Sequence, residues 1–582
     1  MKKIFKSVII MTICMSVLQG CSIDPEYYSQ VSPSNFFDSQ DKVYQRFARP
    51  FTSWATYQGG VPYARFTVLN TLASDELLMP NRNGDWYDGG FYLNHFTHQF
   101  SPATDGYWNY TWDAISESIA QAWSAVEDID KNVDFDALGF PEGIRESMLN
   151  QIKVLVAYFY MIGLDAFGGM PLYTSNQTEL QSRATDKQTF EFIEGLLLEA
   201  LPTLPKKASG DAEKGYVSQG TAAALLAKLY FNARPYTGEE MYTKCAEICT
   251  KIKNGEYGPY ALAGSYQEIF GFSNATSPEL MWVVPSENSK REVGGGTPQY
   301  STHYNTWMYL DNPGAMSWNG LCLLPSQDIN GKHYLKVAGN LGGPFKLGSP
   351  YDKFEATDLR KKNYVYNGNG QYTGMFLAGV LTNPHTGVSC IADGSREYPK
   401  GTIIPMVDQV AQLAPDPNGT RYPNGRKEGA LYGEENSGVR LLKHSPIPNE
   451  ADNALRFNPE VPVIRFTEIQ YMLAECKWRL GDKPTAANLI NEVRKRYFAG
   501  GNDPNPATAG NLDEYRFLDE WLIEFIGEGR RRTDLVRWNK FTTEAWWDHP
   551  ADGPGKEYLN RFPVPASAIN ANPKLEQNPG YK

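Results

Sequence analysis

The sequence predicts a mostly α-helical protein: a tetratricopeptide-like scaffold of helical hairpins, with a long loop-rich insert and a few short β-strands. Three observations carry this expectation. Apolar residues recur at helical spacing through residues 145–167. Two separate stretches, 218–252 and 465–498, share one helix–turn–helix layout of about 34 residues. Between about 261 and 460 the composition changes to Gly, Pro, Asn and Tyr.

The elements follow in chain order. Met148, Ile152, Leu155, Phe159 and Ile162 fall on one stripe, and residues 154–162 are apolar nearly all round, so this helix belongs in a core. Gly168-Gly169, with Pro171 beyond, ends it. A second helix is expected from about 189 to 201. In the first hairpin, Ala222, Leu225 and Leu229 precede a Gly238 turn, and Met241, Cys245, Ile248 and Ile252 follow it. The run Ala222-Ala223-Ala224 permits close helix contact. In the second hairpin, Ile469, Met472, Cys476 and Leu480 lead to a Gly481 break, and Pro484 opens a helix bearing Ala486, Ile490, Val493 and Tyr497. Neither unit has a full repeat consensus. A further helix carries Leu518, Trp521 and Phe525. The insert between them has only short apolar runs, such as Leu280–Val284, and a loop-rich tract of that length is normally functional.

Composition removes several classes of function. The 582 residues are 41% hydrophobic and 21% charged, which suits a packed globular protein and not a disordered one. The net charge is −11, and no Lys/Arg-rich run concentrates positive potential, so nucleic acid is not an expected partner. Aromatic residues make up 13% of the chain, and many stand in Gly/Asn/Asp-rich stretches where a core would not place them.

The N-terminus reads as an export leader. Lys2, Lys3 and Lys6 precede an apolar run at 8–18 that is too short to cross a bilayer. Leu18-Gln19-Gly20-Cys21 then has the order of a bacterial lipobox, which implies cleavage before Cys21 and lipidation of that residue. Each buried acyl methylene adds about 0.8 kcal/mol of membrane affinity. Loss of residues 1–20 removes three lysines and no acids, leaving 52 basic against 66 acidic residues, a balance of −14. No later segment is expected to span a membrane. Cys245, Cys249, Cys322, Cys390 and Cys476 remain; an odd number without paired spacing reads as small core residues, with at most one bridge.

Several blocks in order resemble the SusD/RagB family of outer-membrane nutrient-binding lipoproteins of the Bacteroidetes. They are Ser32-Pro33-Ser34-Asn35-Phe36-Phe37; residues 151–172, closing on Asp165-Ala166-Phe167-Gly168-Gly169-Met170-Pro171-Leu172; Ser277-Pro278-Glu279-Leu280; Pro462-Val463-Ile464-Arg465-Phe466-Thr467-Glu468 with Ala474-Glu475; Glu528-Gly529-Arg530-Arg531-Arg532-Thr533-Asp534-Leu535-Val536-Arg537-Trp538; and the closing Phe562-Pro563-Val564-Pro565 with residues 572–581. The resemblance implies a signal peptide at 1–20 and one SusD-like domain at 21–582. That domain divides into an N-terminal helical part to 260, a loop-rich ligand-binding part at 261–460 and a C-terminal helical part from 461. It further implies a lipid anchor at the outer-membrane surface, capture of an oligosaccharide or polysaccharide, and delivery to a SusC-like TonB-dependent transporter. No cofactor and no catalysed reaction are expected.

A sugar ring presents a flat face of C–H groups and a rim of hydroxyls, so its site wants an exposed aromatic ring beside Asp, Asn or Arg. Arg82-Asn83-Gly84-Asp85-Trp86-Tyr87-Asp88-Gly89-Gly90 has this grammar, which makes Arg82, Asn83, Asp85, Trp86 and Tyr87 candidates. Trp307, Tyr309 and Trp318, with Asp311, Asn312 and Asn319, form a second set. Tyr364, Tyr366 and Tyr372 interleave with Asn367 and Asn369 and read as the core of a β-hairpin. Arg531, Asp534, Arg537 and Trp538 read as buried ion pairs joining helices, and Glu520, Glu524 and Glu528 as a solvated or Arg-paired face.

Rival readings are weaker. A glycoside hydrolase needs two carboxylates across a cleft; Asp75-Glu76 and Asp85/Asp88 are available, without an accompanying signature. Peptide capture by the hairpins is the other binding class, but the richest aromatic clusters lie outside them. His95 and His98 have an i,i+3 spacing that suits a metal, but no third ligand stands nearby in sequence. Residues 368–374 read as a turn, not a nucleotide loop.

Overall fold

The computed structural model describes residues 36–53, 62–286, 300–312, 317–337, 340–341, 344–446 and 459–582; the leader, Cys21 and residues 32–35 lie outside them. The fold is mostly α-helical and tetratricopeptide-like, with short two-stranded pairings in the insert.

Helix Ile144–Phe167 starts after Gly143 and stops at Gly168, both at φ 80°, where the absence of a Cβ permits the left-handed turn. By length and apolar content it is the one described helix able to cross a membrane, yet 78% of its apolar window is buried in the protein. It is a core helix. Against it lies Tyr107–Asn132, whose Trp108, Trp112, Ile115, Ile119 and Ala122 form the buried stripe. That helix is not among the sequence expectations, because its first turn, Tyr107-Trp108-Asn109-Tyr110, has the aromatic and polar mixture of a recognition loop. Asp186–Ala200 begins three residues earlier than its apolar pattern, because Thr185 and Gln188 close a capping box ahead of it.

Both hairpins form. Ser218 caps Gln219–Phe231, and Tyr242–Lys253 returns beyond Gly238. Phe466–Arg479 and Lys483–Arg494 make the second pair, with Asp482 capping Thr485. Tyr242–Lys253 packs on Phe466–Arg479, so Cys245, Cys249 and Cys476 meet in one fully buried seam as free thiols. The insert is tied to this frame by Leu280–Val284, which pairs antiparallel with Val461–Arg465. Its Tyr364/Tyr372 hairpin turns through Asn369 and Gly370, both at positive φ.

Buried ion pairs join the ends of the chain. Arg531 holds both oxygens of Asp75 at 2.5 and 2.8 Å, Arg532 reaches Asp165 at 2.7 Å, and Arg537 bridges Glu475 at 2.9 Å and Asp534 at 2.6 Å. The row of glutamates is Arg-paired and buried, not solvated: Glu520 meets Arg494 and Arg516, Glu524 meets Arg465, Arg496 and Arg360, and Glu528 meets Arg465 and Lys443. Burial opposes the charge on Glu524, but three guanidinium groups outweigh it and hold the carboxyl well below its usual range. Removing one member of such a set strands a buried charge, at a cost of about 3–5 kcal/mol.

Glu76 is the exception. It is 1% exposed, makes no ion pair among the described residues, and burial outweighs the more distant Arg531 and pushes its carboxyl up to about 8. In the unfolded chain a glutamate titrates near ~4.3. The folded state therefore binds the extra proton between these values, and stability falls as pH rises through that window. Glu76→Gln, which mimics the protonated acid, is expected to match the parent in urea unfolding near pH 5 and to exceed it at pH 8 by on the order of 1–3 kcal/mol. A variant less stable than the parent at pH 8 would show that the carboxylate is ionised and held.

Candidate functional site

Residues 79–92 leave the Leu77–Leu78 strand and double back at once. Arg82 N–H donates to the Asp85 carbonyl at 2.9 Å, and Asp85 N–H returns the bond at 3.1 Å. Asn83 and Gly84 form the two-residue turn between them, at φ 51° and 103°. Asn-Gly is the pair that accepts two positive φ values most readily. Trp86 follows at φ 63° and Asp88 at φ 43°. A bulky residue in the left-handed region is strained by about 1–3 kcal/mol, and such strain persists only where the surroundings impose it.

The surroundings of Trp86 are specific. Its Nε1–H donates to the Trp318 carbonyl at 2.9 Å. Its ring lies edge-on to Tyr92 at 5.5 Å and tilted to Tyr300 at 5.6 Å. Tyr300 in turn meets Trp318 at 4.8 Å and 84°. Gly320 lies under the indole, where a Cβ would come within 2.8 Å of Trp86 Cε2. The result is a strip of half-buried rings, Trp318, Tyr300, Trp86 and Tyr92, continued through Phe91 to the exposed Tyr110. Tyr87, at 44% exposure, stands beside it.

A polar rim flanks the strip. The Asp85 carboxylate accepts from the Tyr304 hydroxyl at 2.7 Å and pairs with Arg396 at 2.5 Å. Asn83 donates to Glu397. Burial and the neighbouring Asp85 push the Tyr304 hydroxyl up to about 12, so it remains a donor. Asp85 and Arg396 keep about a third of their side-chain surface in solvent, at 35% and 34%.

Beneath the rim lies Arg82. It is 2% exposed and donates to the carbonyls of Glu434, Ser437 and Gly320 at 2.6, 3.0 and 3.1 Å. Its expected place on the surface is thus corrected: the side chain turns inward to three irregular carbonyls, of which Glu434 O also accepts from Ser437 N–H at 3.0 Å. Arg440 is fully buried beside it and serves Gly438 O and Glu435 O, at 2.6 and 3.1 Å, and Asn319 Oδ1 at 2.7 Å. Burial, with Arg82 close by, pushes the Arg440 guanidinium down to about 9. Neither arginine has an ion pair with a carboxylate among the described residues.

The second candidate set separates. Trp318 joins the strip through its ring and its carbonyl. Trp307 stands on helix Thr306–Leu310 at 36% exposure and stacks on no other ring among the described residues. Tyr309, on the opposite face of that short helix, is corrected to the core: it is 4% exposed, and its hydroxyl is spent on the Tyr364 carbonyl at 2.8 Å. Sequence reasoning missed Tyr92, Tyr300, Tyr304, Arg396 and Glu397. The i,i+4 pair Tyr300 and Tyr304 was a usable signal. Nothing local marked Arg396, which meets Asp85 only through the fold.

The acids considered for hydrolysis are not set across a cleft. Asp75 is fully buried on Arg531 and Glu76 is sealed, while Asp85 is neutralised by Arg396 and Asp88 is exposed.

The fold and this surface define a class: a helical-hairpin scaffold on which the turn at 82–92 and the insert together assemble a rigid aromatic strip with a charged rim. The chain belongs to the SusD family, whose profile matches residues 278–581. It is 26% identical over 459 residues to the starch-binding protein SusD of Bacteroides thetaiotaomicron, covering 74% of this chain and 72% of that protein. It is 22% identical over 493 residues to the SusD-like protein P25 of Formosa agariphila, covering 81% and 79%. Among solved structures, the surface glycan-binding protein A of Bacteroides thetaiotaomicron in complex with laminarihexaose superposes with a TM-score of 0.62 at 16% identity, covering 93% of this chain and 99% of that one.

Gly320→Ala tests the seat of Trp86. The added methyl displaces the indole, so near-ultraviolet circular dichroism and tryptophan fluorescence are expected to change while far-ultraviolet dichroism stays as in the parent. Identical aromatic spectra would show that Trp86 is not held there.

Proposed function

We propose that the protein is a glycan-binding receptor of the bacterial surface, which captures an oligosaccharide or polysaccharide on the Trp318–Tyr300–Trp86–Tyr92 strip and catalyses no reaction. The observation that carries this reading is the strip itself. The partly exposed rings would take the C–H side of a pyranose, while Asp85, Arg396, Asn83 and Tyr87 stand beside them to meet its hydroxyls. The rings are fixed before any ligand arrives, which lowers the entropy lost on binding. The names of the relatives, one starch-binding and one glycan-binding, support the same reading.

The leader and the lipobox order support cleavage before Cys21, lipidation there and residence at the outer-membrane surface. The family supports the final step, release of the glycan to a SusC-like TonB-dependent transporter. Trp307, exposed but isolated, serves as an outlying contact for a longer chain.

The test is calorimetric titration of the mature chain with starch, laminarin and other oligosaccharide series, and with peptide mixtures in parallel. Trp86→Ala is expected to weaken glycan binding by about 1–3 kcal/mol, the usual cost of truncating an aromatic anchor. Tyr309→Phe, which alters only a core hydroxyl, leaves affinity unchanged. Parent-like affinity in Trp86→Ala, or binding of peptides and no glycan, overturns the reading.

A further inference from the structure

His95 and His98 do not form a pair. His95 is spent on backbone groups, with Nδ1 at 2.9 Å from the Phe91 carbonyl of its own helix and Nε2 accepting from Tyr107 N–H at the start of the next helix at 3.0 Å. His98, at φ 51° just past helix Phe91–Phe96, turns the other way and meets two residues some 450 positions distant. One donor atom from each of His98, His549 and Asp552 lies within 4.8 Å of the other two.

We propose that His98, His549 and Asp552 form a binding site for a divalent first-row transition cation, zinc foremost, which clips the C-terminal loop onto the N-terminal part of the chain. Two imidazoles and one carboxylate are the donor types such ions take, with a fourth position left for water. His98 has the outer support of a metal-bound histidine: its Nε2 faces the Ala73 carbonyl at 3.1 Å, which fixes the ring and leaves Nδ1 facing the site. That Nδ1 lies 2.7 Å from Asp552 Oδ2. Tetrahedral zinc ligands sit about 3.3 Å apart, so the carboxylate needs to withdraw by only about 0.6 Å.

His549 supplies the independent observation. It is 3% exposed, and its Nδ1 has no hydrogen-bond partner among the described residues. A polar ring sealed without a partner is costly, and coordination of the ring gives it a role. Its position is built, not accidental. Trp546 and His549 exchange backbone hydrogen bonds at 3.0 Å around a tight turn with Asp548 at φ 54°. The His549 ring stacks on Trp546 at 4.1 Å and 10°, and meets the His98 ring at 4.3 Å. Phe541, at 4.3 Å from His98, helps to keep the site dry, while the Asp552 side chain, at 13% exposure, leaves a path from solvent. The site is separate from the aromatic strip and does not depend on how that surface is used.

The experiment uses the mature chain without a polyhistidine tag, stripped with chelator and titrated with zinc alone against a competing chromophoric chelator. One zinc per chain is expected, and cobalt in its place is expected to give the visible absorption of a tetrahedral site. Asp552→Asn, near the surface and isosteric, tests the site with the fold kept, and His549→Gln tests the buried ligand. Each lowers zinc affinity at least tenfold and abolishes the rise in Tm that zinc gives the parent. Absence of stoichiometric zinc binding, or parent-like affinity in both variants, overturns the proposal.

Discussion

Two buried guanidinium groups with no carboxylate partner among the described residues hold the recognition surface together. A buried carbonyl without a donor costs about 1–3 kcal/mol, and a buried cation without acceptors costs more. Loops 319–320 and 434–438 carry buried carbonyls in irregular backbone; Glu434 O also accepts from Ser437 N–H, while Gly320 O and Ser437 O are met by arginine side chains. Arg82 and Arg440 satisfy them, and the carbonyls and the Asn319 amide solvate the cations in return. Each problem is the solution of the other. The consequence reaches the surface, because Arg82 anchors the turn that presents Asp85 and Trp86, and Gly320, which holds the indole from below, is itself an Arg82 acceptor.

The helical frame is secured differently. Its arginines meet carboxylates, and the pairs link distant parts of the chain: Asp75 to Arg531, Asp165 to Arg532, Glu279 to Arg465 and Arg496. Replacing such pairs by apolar residues is often neutral for stability, whereas breaking one is not. Their effect is to fix one arrangement of segments that short-range patterns do not specify. The insert can therefore be irregular and still rigid, which is what a preformed binding surface requires.

Much of the frame was legible because helical periodicity is local. The stripe of Ile144–Phe167, the Gly481 break and the arginine-rich run at 528–538 all state their roles within a few turns. The 26-residue helix Tyr107–Asn132 was not legible, since its opening aromatics resemble those of a loop and only packing tells them apart. The site was half legible for the same reason. Asn83-Gly84-Asp85-Trp86 announces a projecting turn, but burial decides that Arg82 points inward and that Tyr309 faces the core. Arg396 and Tyr304 reach Asp85 across more than 200 residues of chain, a distance over which one sequence carries no pairing signal.

The most direct measurement is the crystal structure of the mature chain with the oligosaccharide that it binds most tightly. A pyranose ring is expected on the Trp318–Tyr300–Trp86 strip, with hydroxyls within hydrogen-bonding distance of Asp85 or Arg396, and Arg82 unmoved on its three carbonyls. A sugar seated elsewhere, for instance beside Trp112 and Tyr173 in the groove near the C-terminus, with the strip bare, would contradict it.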